Sequence, residues 1–64
     1  MSPYREGYDN GRADWLLGQQ NQYAWNCALD YSNTYSLEYG RGYQAGWYDA
    51  RAEYRNGQQS MAQF

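Results

Sequence analysis

One five-residue signature occurs twice in this chain, and it constrains the fold more than any other feature. Tyr4, Gly7, Tyr8, Gly11 and Asp14 in "YREGYDNGRADW" line up with Tyr39, Gly42, Tyr43, Gly46 and Asp49 in "YGRGYQAGWYDA". In the second copy Tyr35, Tyr39, Tyr43 and Trp47 stand four apart, and Gly42, Gly46 and Ala50 form an adjacent stripe. A period of 3.6 residues places each set along one face of a helix. Glycine inside a helix costs roughly 0.5–1 kcal/mol relative to alanine. Gly7, Gly11, Gly40, Gly42 and Gly46 together therefore cost about a few kcal/mol, comparable to the whole stability of a small domain. Helices survive that where the missing side chains let two helix backbones meet or let an aromatic ring lie flat on the backbone. The repeats are thus expected to be two equivalent helices packed through glycine grooves and aromatic ridges. Gly7, Tyr8, Gly11 and Trp15 serve the first helix, and Gly42, Tyr43, Gly46 and Trp47 the second.

The flanking residues set the boundaries. Ser2 can cap a helix whose first position is Pro3, where a missing N–H costs nothing. Arg5 to Asp9 and Asp9 to Arg12 stand at spacings that suit helix-surface ion pairs. This helix is expected over 3–17, with Gly18 as its stop. Between the repeats, Tyr23, Cys27 and Tyr31 share one helical face and Trp25 and Leu29 a neighbouring one, which predicts a shorter helix over 20–31. "YSNTYS" reads as a turn that starts the last helix, because Ser, Asn and Thr favour caps and turns. That helix is expected over 36–56, with Gly57 as its stop and a frayed tail over 57–64. The fold class is therefore all-α, a small helical hairpin or three-helix domain in a single domain, 1–64.

Size and composition narrow the function. The chain has 64 residues, one cysteine, no lysine and no histidine, and a net charge of −2. A domain this small buries only about 60% of its unfolded surface and is marginally stable without staples or partners. The lone Cys27 offers no disulfide framework and fits a reducing compartment. The polar N-terminus does not look like a signal peptide, and no apolar run is long enough to span a membrane. Cytoplasmic localisation is the expectation. Gly, Ser, Tyr, Gln and Asn fill half of the chain, a mix that also suits disordered, self-associating segments. The helical spacing of the aromatics argues for the folded alternative.

The Gly-Tyr-x-x-Gly helix followed by a second helix of the same kind, together with "RGYQAG" at 41–46, resembles ribosome modulation factor and its small bacterial and phage-borne relatives. The resemblance implies a compact hairpin of two short helices, with Gly7, Tyr8 and Gly11 in the first and Tyr39, Gly42 and Tyr43 in the second. The family's ribosome-binding member is strongly basic, whereas this chain is mildly acidic and its only proline is Pro3. Contact with rRNA phosphates is electrostatically poor for such a chain.

Enzyme chemistry has little to work with. Without histidine, neither a Cys–His nor a Ser–His–Asp nucleophile can be assembled, and zinc ligands are lacking for the same reason. Asp9 and Asp14 are five apart and fall on different helix faces. The glycines lie inside helical patterns, so no phosphate-binding loop is formed. No catalytic residue, metal or cofactor is expected, and Cys27 reads as a small core residue.

Binding remains. Nine tyrosines exceed what so small a core can hold, and Tyr, Trp and Arg are enriched in interface hot spots. Arg41, Tyr48, Arg51, Tyr54 and Arg55 on the last helix are the candidate partner surface. The expected function is a small non-enzymatic protein that modulates or inhibits a larger intracellular protein, such as a phage-encoded inhibitor of a host or defence factor in the bacterial cytoplasm. The alternatives are a ribosome- or RNA-associated modulator, which would use tyrosine stacking with arginine support, and a self-assembling structural protein. A homodimer is compatible with the first reading, because marginal domains gain stability by pairing.

Overall fold

The computed structural model describes residues 1–62, with side chains through residue 55. It has three α-helices and one short 3₁₀ turn: α1 (Pro3–Leu16), α2 (Gln22–Asn26), the turn Cys27–Leu29, and α3 (Thr34–Ala62). The described residues form no strand, and none of their helices is long and apolar enough to cross a membrane. Of the two all-α arrangements expected, the chain adopts the three-helix one.

Local chemistry sets the ends of α1. The Ser2 hydroxyl accepts the Arg5 N–H at 3.1 Å, and Pro3 follows at the first helical position. At the other end Gly18 turns to φ 72°, the left-handed region that glycine enters without steric penalty. Gly18 N–H then reaches the Trp15 carbonyl at 3.0 Å, and Gln19 N–H reaches that of Asp14 at 2.8 Å. This paired closure satisfies carbonyls that the helix end would otherwise leave bare.

The middle helix is shorter than the pattern predicts. Asn21 caps it by accepting the Ala24 N–H at 3.1 Å, so α2 starts two residues later than expected. It then tightens into the 3₁₀ turn at Cys27, because this backbone lies directly on Gly40. A Cβ on Gly40 would sit 2.5 Å from the Cys27 carbonyl carbon and 2.7 Å from the Ala28 Cα. The expected apolar faces also move. Tyr23, Leu29 and Tyr31 are exposed, whereas Ala24 is buried and Trp25 half-buried.

α3 begins at Thr34, two residues early, because Asn33 accepts the Ser36 N–H at 3.2 Å. Its far end lies beyond the expected stop. The helix passes through Gly57 to Ala62, since a glycine ends a helix only where it turns left-handed. The tail expected to fray is therefore helical over 57–62, and residues 63–64 lie outside the described residues.

α1 and α3 pack with the glycines as the meeting surface. A Cβ on Gly7 would sit 2.9 Å from the Tyr43 nitrogen, and one on Gly11 would sit 2.9 Å from the Trp47 nitrogen. On the facing helix, a Cβ on Gly42 or Gly46 would sit 2.8 Å from the carbonyl carbon of Tyr4 or Tyr8. Contacts that advance together along both helices mean that the two run parallel. A parallel pair cannot be joined by a tight turn, so residues 17–33 form a crossover that carries the chain back to the starting end. The repeat offset maps each contact onto its counterpart: Gly7 against Tyr39 becomes Gly42 against Tyr4, and Gly11 against Tyr43 becomes Gly46 against Tyr8. The helix pair thus has an internal two-fold pseudosymmetry.

Candidate functional site

The same symmetry organises the polar groups. Tyr8 Oη donates to Asp49 at 2.6 Å, and its counterpart Tyr43 Oη donates to Asp14. Tyr43 is the largest fully buried side chain, 1% exposed, and its hydroxyl also accepts the Asn21 N–H at 2.8 Å. Burial, and then the hydrogen bond to Asp14, push its phenol up to about 12. The bond to Asp49 likewise raises the Tyr8 phenol above its ordinary value. Around these pairs, Tyr35 donates to Glu6 at 3.0 Å, Asn10 donates to Tyr39 at 2.8 Å, and Arg12 pairs with Glu53. The Tyr35 phenol is raised by its bond to Glu6. The repeat signature carries an aspartate six residues after its second tyrosine, which is the sequence signal for these bonds.

Trp25 anchors the crossover. Its ring meets Tyr43 edge-on at 6.4 Å and Trp47 and Tyr48 at 5.5 Å each, while Gln44 Nε2 donates to its carbonyl at 3.1 Å. Such edge-to-face pairs add about 0.5–1.5 kcal/mol each beyond area burial. Tyr48, expected on the partner surface, is therefore partly committed to this cluster, although its side chain stays 49% exposed.

Beyond the crossover, an open groove of about 570 Å³ lies between the end of α1 and α3. Trp15, Leu16, Gln19, Trp47 and Tyr54 line it. Trp15 and Tyr54 stand 5.2 Å apart at 53°, and Trp47 Nε1 donates to the Gln19 carbonyl at 2.9 Å, which fixes the indole. Trp15 and Trp47, expected as helix-packing residues, are half-buried, so their outer faces remain available. The groove was not legible in the sequence, because it depends on where the crossover ends.

The candidate residues on α3 divide by position. Asp49 and Glu53 stand one turn apart and face α1, where they hold Tyr8 and Arg12. Arg51 and Arg55, also one turn apart, lie on the opposite side. Arg41, Arg51 and Arg55 are exposed and form no ion pair or hydrogen bond among the described residues. Arg5 pairs with Asp9 at 3.3 Å as its spacing suggests, whereas Arg12 leaves Asp9 for Glu53. Of the acidic side chains, Glu38 alone has no partner among the described residues, since Asp30 accepts from Ser32 at 2.8 Å and the others are held as above. The five expected surface residues therefore do not act alike. Among the described residues Arg41, Arg51 and Arg55 are without a charged partner, Tyr48 belongs to the Trp25 cluster, and Tyr54 belongs to the groove.

The described residues contain no group of three or more potential metal ligands. Cys27 is half-buried at the start of the 3₁₀ turn within the crossover. No family model matches the chain, and no curated protein or solved structure matches it either.

Proposed function

We propose that this chain is a small non-enzymatic binding protein that modulates or inhibits a larger protein through the exposed side of α3. One observation carries the reading: among the described residues, Arg41, Arg51 and Arg55 stand without partners on one helix with the aromatic side chains of Tyr48 and Tyr54, while nearly every acidic group is engaged within the fold. Arginine and aromatic side chains combined on a rigid element supply directional bonds and large contact area at low ordering cost. In its narrower form the target is a bacterial cytoplasmic protein and the chain a phage-encoded inhibitor of a host or defence factor.

An RNA- or ribosome-associated role uses the same residue types. It is second because the net charge of −2 opposes approach to a polyanion. Affinity capture of the tagged chain from bacterial lysate, with and without nuclease, separates the two. The protein-binding reading expects one protein retained in both arms. Ribosomal subunits or RNA lost on nuclease treatment would replace it with the second.

A further inference from the structure

We infer that the cavity between α2, the start of α3 and the first turn of α1 binds a small organic ammonium ion, with Glu6 as its counter-charge and tyrosine side chains against its carbon substituents. The cavity holds about 350 Å³, at the lower end of the range for small-molecule sites. None of the α3 residues that carry the protein-binding reading line it, so the inference is independent of that reading. Glu6, Tyr23, Ala24, Cys27, Tyr35 and Tyr39 form most of its wall. Two of the tyrosines are held by α1: Tyr35 donates to Glu6 at 3.0 Å, and Tyr39 accepts from Asn10 at 2.8 Å. Tyr23 is 82% exposed and has no partner among the described residues, so its ring is available to a ligand.

The charge on this wall selects a cation. Tyr35 is a neutral donor, so the Glu6 carboxylate keeps its charge, and its Oε1 has no partner among the described residues. No arginine lines the cavity, and Arg5, next to Glu6 in sequence, is committed to Asp9 at 3.3 Å and to the Tyr8 ring at 6.0 Å. An adjoining cavity shares Tyr23, Cys27 and Ser36 and adds Asp30, which is bonded among the described residues only to the neutral Ser32 hydroxyl. Two uncompensated carboxylates thus face one continuous hollow. The tyrosines decide which cation fits. A metal ion needs several oxygen ligands already in place, and no three potential ligand residues gather among the described residues. A small hydrated ion gains little from aromatic walls. An ammonium ion with carbon substituents gains from the rings and the carboxylate together, the combination by which aromatic cages recognise alkylated ammonium groups.

NMR titration of the isotopically labelled full chain tests this. The probes are tetramethylammonium chloride, butylammonium chloride and the neutral analogue tert-butanol, with sodium chloride holding the ionic strength constant. Saturable shifts of the Glu6, Tyr23, Ala24 and Tyr39 amides are expected with at least one of the ammonium ions. The ion that saturates at the lower concentration identifies the preferred head group as quaternary or primary. Glu6→Gln keeps an acceptor for the Tyr35 hydroxyl, so helicity should hold while binding weakens about tenfold or more. Tyr23→Ala, at an exposed position, should weaken it about threefold. Glu38→Gln removes the same charge from an exposed side chain outside both cavities and should leave the affinity unchanged. No saturation by either ion, saturation by tert-butanol at the same concentrations, or equal losses in Glu6→Gln and Glu38→Gln would each overturn the inference. Capture of a partner protein plays no part in this titration, so the two readings stand or fall separately.

Discussion

Gly46 lies against the backbone of Tyr8 so closely that a Cβ would stand 2.8 Å from the Tyr8 carbonyl carbon and nearer still to its oxygen. The glycine hydrogen takes that place instead and points at the carbonyl, a weak contact that recurs where helices meet at close range. The obstacle is main chain, which cannot rotate away as a side chain would. Substitution here therefore sets a gain in helix propensity against a forced separation of two helices.

Gly46→Ala is expected to lose about 1–2 kcal/mol net, since overpacking against main chain falls in the upper part of the typical range of about 1–3 kcal/mol and the propensity gain is at most about 1. Gly46→Leu should cost more. Thermal melts read both, and a Leu variant that melts higher as a monodisperse species would mean that the helices do not meet at this glycine. Gly11→Ala, related to Gly46→Ala by the repeat, should fall within about 0.5 kcal/mol of it, because at both sites the new Cβ meets the carbonyl of the second signature tyrosine on the facing helix.

Gly40→Ala tests the crossover. Its Cβ would meet the backbone of Cys27 and Ala28, so the 3₁₀ turn must lift from α3. A loss of about 1–3 kcal/mol is expected, accompanied by a change in tryptophan fluorescence as Trp25 leaves its aromatic neighbours. An unchanged spectrum with unchanged stability would place the crossover elsewhere.

Tyr43→Phe leaves Asp14 and the Asn21 N–H without the hydroxyl, and should cost about 1–3 kcal/mol. Tyr8→Phe removes a more exposed bond to Asp49 and should cost less. Denaturant melts of the two variants give the order, and a reversed order would assign the deeper role to Tyr8.

The buried phenol also sets a pH limit. In the unfolded chain a tyrosine titrates near its ordinary value of about 10, whereas Tyr43 in the fold titrates at about 12. Between these values the folded state holds a proton that the unfolded state has released, so stability falls as pH rises. The contribution is fully present below about pH 10 and is lost as pH rises through about 12. Melting temperatures across this range should decline, less steeply in Tyr43→Phe. Equal slopes in the two proteins would show that Tyr43 does not govern the decline.

How much of this could be read from the residues follows from what each contact depends on. Ser2, Pro3 and Gly18 act on their own neighbours, so the bounds of α1 were legible to within a residue. The glycine stripes were legible as packing surfaces because a helix has a fixed period. Direction was not: a stripe of small residues looks the same to a parallel and an antiparallel neighbour, and only the length of the crossover distinguishes them. The middle segment was read too long because its end depends on Gly40, twelve residues beyond Ala28, which flattens the backbone into a 3₁₀ turn. Gly57 misled in the opposite way, since glycine permits a stop without enforcing one. The groove was hidden for the same reason as the direction: Trp15 and Tyr54 meet only after α1 and α3 are set side by side.

The parallel arrangement also constrains how the chain can fold while it is being made. An antiparallel hairpin can zip outward from its turn as it leaves the ribosome, each new bond closing a slightly larger loop. Here the side-chain bonds between α1 and α3 join residues 29 or 41 positions apart. Each requires a long loop to close before any reward, which slows folding for a helical protein. α1 therefore emerges first and waits, its glycines facing water, until the second copy of the signature has left the exit tunnel.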